Sequence, residues 1–369
     1  MSERNRTGTE STRRAVVTGV APGRVNLIGE HVDYNGGRCL PVALTQCTTS
    51  VATPRDDGRV RVTSGSRSWE GSVDDLADAD HWALYVTGVL LALDCTEGVD
   101  VDVTSDVPIG AGLSSSAALE CSVAFAVNDA FGLGRSPREL EEACVRAEQE
   151  YVGAPTGGLD QAISVSAESE SALLIDFATG DREQVPFDLT GHGLSLLVID
   201  TRVSHELTDG GYESRRDEAW EAATRLGVAH LGEVADAAAL EELPEPFLSR
   251  ARHVVSEVAR VDAFVAALRA DDWDALGPLL VASHASLRDD YEVSCDELDV
   301  TVDVAQESGA IGARMTGGGF GGSAIALVPV ERVDAVQAAV TTAFVARGWG
   351  RPDFIVAEPG RGARVTTTD

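Results

Sequence analysis

The sequence predicts a two-domain protein that mixes strands and helices. Three observations predict it. The chain has 369 residues, about twice the ~150 residues of an ordinary domain. Its first half interleaves short strand-type runs with helical stretches. Near residues 188–193 the texture changes, and the chain beyond becomes strongly helical before it closes with a strand and a helix. That change places a boundary between residues 15–190 and 191–369. Residues 1–14 are polar and lack the apolar stretch of a signal peptide, so they are expected to form a disordered leader.

Val16–Val20, Arg59–Thr63 and Val99–Thr104 read as strands, the last two by alternation of apolar and polar residues. Ser114–Phe131 is apolar and alanine-rich and ends at Gly132, the pattern of a helix. Ser136, Pro137 and Glu139 supply an N-cap, a first-turn proline and a capping-box glutamate for a second helix, which runs through Glu150 and stops near Gly153. Ser171–Phe177 and Gln184–Phe187 form a hairpin around Thr179–Asp181, and Leu194–Asp200 is a buried strand. Helices follow at Tyr212–Leu226, Phe247–Arg269 and Trp273–Arg288. A strand at Ser323–Val328 and a helix at Val333–Arg347 come last.

Composition narrows the chemistry. Lys and Arg total 29 against 60 Asp and Glu, a formal net charge of −31, and all the basic residues are arginines. Without lysine there is no Schiff base, no lysine general base and no phosphate loop of the G-x-x-x-x-G-K-[ST] type. Phosphate chemistry must then rest on backbone N–H groups, hydroxyls, metal or arginine. A nucleic acid or an anionic membrane is a poor partner for so acidic a chain, and no apolar run reaches the ~18–20 residues of a membrane span. The six cysteines form no C-x-x-C pair and read as reduced, buried thiols of a cytoplasmic protein. The histidines show no zinc-site spacing.

The densest signal is Val107–Ala118, where Pro108, Gly110, Gly112 and the serines Ser114, Ser115 and Ser116 follow a strand and open a helix. Glycines let the backbone approach an anion, and the helix start offers free N–H donors and a positive dipole end. Phosphate binding through Gly110, Ala111, Gly112, Leu113 and the three serines is favoured over a plain turn with a serine N-cap. Glu148 has Cys144, Val145, Tyr151 and Val152 as helical neighbours, so its carboxylate lies on an apolar face and calls for a cation or strong donors. A magnesium ion suits it; a helix-end glutamate reaching solvent is the simpler alternative. Asp160 follows the glycine-rich Gly153–Gly158 and could cap a helix. In Ala21–Gly37, Glu30, His31 and Asp33 could hold several hydroxyls of a polyol, and Arg24 could pair with an aspartate or a phosphate. Gly312–Ser323 resembles a dinucleotide fingerprint only superficially, because it precedes a strand. It could close over a site or form a tight turn.

Together these segments resemble the galactokinase family, within the GHMP superfamily of galacto-, homoserine, mevalonate and phosphomevalonate kinases. Pro22–Gly37, with Gly-Arg-Val-Asn-Leu-Ile-Gly-Glu-His, looks like the galactokinase signature. Pro108–Ala118 and Gly312–Gly322 look like the second and third superfamily motifs, and Tyr212–Arg216 and Ser283–Cys295 like stretches specific to galactokinases. The resemblance runs from about residue 20 to the C-terminus. It implies two α+β domains with the active site in the interdomain cleft, and transfer of the ATP γ-phosphoryl group to the anomeric hydroxyl of galactose. By the same resemblance Asp160 is the catalytic aspartate and Arg24 the arginine beside it, stabilising transition-state charge. Ser116 and Glu148 match magnesium ligands, and Gly110–Ser116 the ATP phosphate loop. Glu30, His31, Asp33, Gly157, Asp160 and Tyr212 match sugar-contacting positions. A monomer or a dimer in the cytoplasm is expected, with ATP as co-substrate and Mg2+ as cofactor. Val32, Thr156, Gly158–Leu159 and Glu213 depart from the family pattern on the sugar side and leave room for galactosamine, N-acetylgalactosamine or another aldose. A non-catalytic galactose sensor would show a damaged phosphate loop, and Ser115–Ala118 is intact.

Overall fold

The computed structural model describes residues 15–154, 156–204 and 211–366; the leader expected over residues 1–14 lies outside them. The first expected strand runs further than the sequence suggests, as β1 (Val17–Asn26). Arg24 and Asn26 therefore sit on extended backbone, and the turn of the polar signature begins only after them. β2 (Arg38–Cys39) and the 15-residue β3 (Pro41–Arg55) follow. β1 pairs antiparallel with β3, with a bulge between Pro22 and Arg24. A Cβ on the intervening Gly23 would stand 2.7 Å from the Leu113 carbonyl oxygen, so β1 and the glycine-serine loop touch backbone to backbone.

β4 (Arg59–Ser64), β5 (Arg67–Ser72), β6 (Gly98–Ser105) and the C-terminal β13 (Arg364–Thr366) complete a six-stranded sheet in the order β13-β1-β3-β6-β4-β5. β4 lies parallel to β6 because α1 (His81–Ala92) carries the chain back between them. Valines 60, 62, 99 and 101 of this sheet pack with α1, with α2 (Ser115–Ala130) and with α3 (Pro137–Arg146) in one core. The capping box is present: the Ser136 side chain accepts from the Glu139 N–H, and the Glu139 carboxylate accepts from the Ser136 N–H at 2.8 Å. The helix does not run on regularly to Glu150. A π-helical turn spans Ala147–Val152 and carries Glu148; such wider turns concentrate at functional sites. α4 (Leu159–Ser166) is capped by Gly158 at φ 92°. Asp160 is thus the second residue of that helix and not its cap. β7 (Ser171–Asp176) and β8 (Arg182–Pro186) form the expected hairpin and add β2 to make a three-stranded sheet.

The second half begins with β9 (Leu194–Ser204) and continues through α5 (Gly211–Leu226), α6 (Phe247–Arg269), α7 (Leu276–Asp289) and α8 (Asp296–Glu307). β10 (Gly312–Thr316) and β11 (Gly321–Pro329) are joined by the late glycine loop, and α9 (Val333–Ala346) leads to β12 (Asp353–Ala357). The four strands form an antiparallel sheet, β10-β11-β9-β12. Leu298, Val302, Val336, Val340 and Phe344 of α8 and α9 pack on Leu197, Ile199 and Ala326. A further cluster joins the halves, with Val25, Leu27 and Ile28 against Leu196, Val198, Phe264 and Ile325. β13 then returns the chain to the first sheet. Among the described residues no helix is long and apolar enough to cross a membrane. Cys39, Cys95, Cys121 and Cys144 are buried; Cys47 and Cys295 are half-buried.

α2 carries the glycine-serine loop at its start, and Gly19 sets how closely α2 approaches β1. A Cβ there would lie 2.0 Å from the Ser122 carbonyl oxygen. Gly19→Ala must push backbone from backbone. It is expected to destabilise the protein by about 1–3 kcal/mol, as overpacking does, read as a lower midpoint in urea unfolding.

Candidate active site

Past β1 the chain turns through Gly29 at φ 98° and His31 at φ 60°. This turn presents Glu30, His31 and Asp33. The Glu30 carboxylate accepts from the Thr316 hydroxyl at 3.1 Å and the Gly317 N–H at 2.6 Å through one oxygen, and from the Asn26 amide at 3.1 Å through the other. Arg314, fully buried, stands 3.6 Å away. The late glycine loop is therefore both a hairpin turn and a wall of the site. His31 Nδ1 lies 2.8 Å from the Tyr34 hydroxyl, and the His31 ring sits 5.4 Å from the Tyr212 ring. Burial and the neighbouring His253 push His31 down to about 3, so it is neutral. Burial, with Asp160 and Glu30 nearby, pushes Asp33 up to about 7. Gly157 is glycine for a local reason: a Cβ would stand 2.1 Å from the Asp33 Oδ2.

Beside these lies the Arg24–Asp160 pair. Arg24 donates to Asp160 Oδ1 through Nε at 2.8 Å, and its Nη2 lies 2.6 Å from the same oxygen. Its Nη1 donates to the Gly112 carbonyl at 2.6 Å. The Ser114 hydroxyl donates to Asp160 Oδ2. Ser114 occupies the N-cap position of α2 in a left-handed conformation without capping it through its side chain. Gly110 (φ 81°) and Gly112 (φ 71°) give the loop its shape. Ala111 and Leu113 turn their side chains into the core, and the Ala111 carbonyl accepts from the Ser323 hydroxyl at 2.6 Å.

Glu148 is nearly buried, as its apolar neighbours suggest. It accepts from the Gln161 amide at 2.6 Å and from the Ser116 hydroxyl. Burial and nearby Asp160 push its carboxyl up. The same Gln161 nitrogen donates to Glu120 at 3.0 Å. Glu120 is fully buried and its carboxyl is pushed well above the ordinary range by burial and by Glu148.

A cavity of about 190 Å3 gathers Arg24, Glu30, His31, Asp33, Glu148, Gly157, Asp160 and Tyr212, together with Thr156, Leu159, Gly317 and Gly318. Tyr212, Gly317 and Gly318 come from the second half of the chain and the rest from the first. A second cavity of about 580 Å3 is lined by Ser115 and Ser116 and by Val62, Trp82, Tyr85, Val103, Ile109 and Leu119. The hydrogen-bonded pair of Ser116 and Glu148 links the two, since each lines a different one.

Family models match in chain order: the galactokinase galactose-binding signature over residues 6–54, the GHMP kinases N terminal domain over 84–168 and the GHMP kinases C terminal over 264–346. The galactokinase of Streptomyces coelicolor is 48% identical over 359 residues, covering 93% of this chain and 92% of the relative. That of Mycobacterium tuberculosis H37Rv is 43% identical, covering 90% and 94%. The chain belongs to the galactokinase family. The crystal structure of Lactococcus lactis galactokinase complexed with galactose superposes with a TM-score of 0.90 at 35% identity, covering 95% of each chain. The Methanococcus jannaschii mevalonate kinase, 16% identical with a TM-score of 0.68, covering 95% of this chain and 100% of its own, shares the fold.

In this galactokinase-family chain the fold brings together every residue singled out from sequence for sugar, catalysis and metal. Sequence reading missed Gln161, which donates directly to Glu148, Glu120, which holds Gln161 from behind, and the aromatic lining of the larger cavity. Trp82 and Tyr85 sit on a helix that carries no motif.

Asp33 makes a pH prediction. Its carboxyl holds a proton up to about 7 when folded, against 3.8 ordinarily. Between those values the folded state binds a proton that the unfolded chain has lost, so this group lowers stability as pH rises. Asp33→Asn removes that penalty. Its Tm relative to the parent is expected to improve from pH 5 to pH 8 by differential scanning fluorimetry. A difference that stays constant across that range would contradict the shift.

Proposed function

We propose that the chain is a galactokinase that transfers the ATP γ-phosphoryl group to the anomeric hydroxyl of galactose, releasing ADP and galactose 1-phosphate. The observation that carries this reading is the joining of the two cavities at the start of α2. The smaller holds clustered carboxylates, a neutral histidine and a tyrosine, suited to many hydroxyls. The larger combines Trp82, Tyr85, Ile109 and Leu119 with polar residues such as Ser66 and Arg67, suited to a nucleotide. Between them stand Arg24, Asp160 and the N–H groups of Gly110–Ser116.

In this reading Glu30, His31, Asp33, Tyr212 and the Gly157 backbone hold the sugar. Asp160 takes the proton of the anomeric hydroxyl as that oxygen forms its bond to the γ-phosphorus. The bond from phosphorus to the β–γ bridging oxygen breaks, and ADP leaves with the electron pair. Such transfer needs alignment and neutralised charge above all; Arg24 and the α2 N-terminus supply positive charge. Residues 15–190 would contribute the phosphate loop and Asp160, and residues 191–369 would close the sugar site.

Ser116 and Glu148 fit a magnesium ion: a hydroxyl and a carboxylate, hydrogen-bonded to each other, are hard oxygen donors. Among the described residues no group of three or more His, Cys, Asp or Glu could form a metal cage by itself, which suits an ion that takes its remaining ligands from phosphate and water. When bound, magnesium supplies charge neutralisation at the phosphates. With a net charge of −31 on the chain, Mg-ATP is the species expected to bind. We place the enzyme in the cytoplasm, acting on small molecules. A second reading, N-acetylgalactosamine or galactosamine as acceptor, is favoured by a neighbouring cavity of about 350 Å3 that shares Thr156 and Tyr212 with the sugar site.

An ADP-release assay over a panel of monosaccharides tests these readings. Galactose-dependent release that disappears with a magnesium chelator is expected; a protein that phosphorylates other sugars and leaves galactose untouched has a different substrate. Asp160→Asn should lower kcat by about 10²–10⁴-fold, the usual contribution of a positioned acid-base group, with ATP binding retained by calorimetry. Full turnover in that variant would remove Asp160 from the chemistry.

A further inference from the structure

Helix α6 passes beneath the turn that presents Glu30 and His31, and none of its residues lines the sugar cavity. It nevertheless bonds to that turn twice. Glu257 is fully buried. Its Oε1 accepts from the Gly29 backbone N–H at 2.9 Å and from the Ser283 hydroxyl at 2.7 Å, and its Oε2 accepts from Arg260 Nε at 2.7 Å. One turn earlier, His253 is also fully buried. Its Nε2 lies 3.1 Å from the Glu30 carbonyl oxygen and its Nδ1 3.0 Å from the Ser286 hydroxyl. A carbonyl only accepts, so Nε2 carries the proton toward Glu30.

The turn needs such support. His31 holds a left-handed backbone conformation without being glycine, a strain that persists only where the surroundings over-determine it. Gly29 is left-handed as well, and a Cβ there would stand 3.0 Å from Val261 of the same helix. The rings continue the contact: His253 lies 4.6 Å from Tyr291, which lies 4.9 Å from His31. Burial works against the Glu257 charge, but Arg260, His253 and Arg314 outweigh it and hold the carboxyl down at about 2. Glu257 is thus a full acceptor for the Gly29 N–H at any working pH.

We propose that Glu257 and His253 are positioning residues for sugar recognition, fixing from the second half of the chain the backbone on which Glu30 and His31 are presented. The inference rests on the sugar-kinase reading above. It assigns no contact with the sugar to either residue. Their loss should therefore weaken sugar recognition and leave the nucleotide side as it was, since neither His253 nor Glu257 hydrogen-bonds to the phosphate loop or to the lining of the larger cavity.

Three variants test it in the full chain. His253→Phe keeps a ring against Tyr291 and removes the donor. His253→Gln restores an N–H toward the Glu30 carbonyl. Glu257→Gln keeps the size and weakens the hold on Arg260 and Gly29. The expected result for His253→Phe and Glu257→Gln is a KM for galactose raised about tenfold, the worth of roughly one hydrogen bond. KM for ATP should stay within about twofold, and His253→Gln should recover most of the loss. An unchanged KM for galactose in the folded variants, or KM values for both substrates rising together, would overturn the proposal. Hydrogen exchange of the parent protein provides a check that no variant can spoil: the Gly29 amide should exchange with core-like protection, and loop-like exchange would also overturn it. The parent's own galactose-dependent ADP release tests the underlying reading separately.

Discussion

Arg24 is the joint on which the site depends. Its guanidinium reaches Asp160, 136 positions away in sequence, and the Gly112 carbonyl, 88 positions away. One side chain on β1 thereby sets α4 and the glycine-serine loop relative to each other. The geometry calls for arginine: Nε and Nη2 both meet Asp160 Oδ1 while Nη1 points at the carbonyl. A planar fork makes these directed bonds at once, whereas an ammonium is a point charge on a flexible stem. In a chain that carries no lysine, this is how a fixed positive charge is placed beside the glycine-serine loop.

Around that joint the backbone is packed closely enough that side-chain size is itself a constraint. Gly23 brings β1 onto the loop, and Gly19 brings β1 onto the body of α2. Ser323 of β11 holds the loop from the other half by donating to Ala111. The loop is therefore fixed by backbone contact and an arginine from β1 and by a hydroxyl from β11.

Much of this was legible in sequence, and the reasons are local. The capping box at Ser136–Glu139 and the span Phe247–Arg269 are written in adjacent residues, and the structure repeats both. The motif residues could be read because glycine and serine clusters carry a backbone requirement in themselves. What could not be read depends on distant partners. Glu120 looks like an ordinary helix residue until Gln161 and Glu148 are brought beside it. His253 and Glu257 lie on a helix whose sequence says only that it is amphipathic, and their partners are backbone atoms of a turn more than 220 positions earlier. Asp160 was open to a capping reading because a lone aspartate after glycines suits that role; Gly158 took it, which freed the carboxylate for Arg24. The extension of β1 to Asn26 was hidden by polar residues, since Arg24 and Asn26 point to partners in the site and break the apolar alternation.

The electrostatics of the site follow from how four neighbouring carboxylates are handled. Glu30 is held by hydrogen-bond donors and by buried Arg314. Asp160 takes the charge of Arg24 and the Ser114 hydroxyl. Asp33 has no cation against it among the described residues and keeps a proton, and Glu148 shifts in the same direction. Acidic groups thus crowd the end proposed for the sugar, where hydroxyl donors gain from acceptors. N–H groups, serines and the helix dipole occupy the end proposed for phosphate, where an anion gains from donors. Arg24 stands on the border, and Glu148 reaches across it to the Ser116 hydroxyl. An anionic nucleotide approaching this border meets an acid that burial has already made reluctant to ionise. A divalent cation arriving with the phosphates would reverse that preference, because its charge favours the carboxylate form. In the proposed reading nucleotide and metal would therefore be best accepted together, and the excess of acid over base in the whole chain would reinforce that coupling.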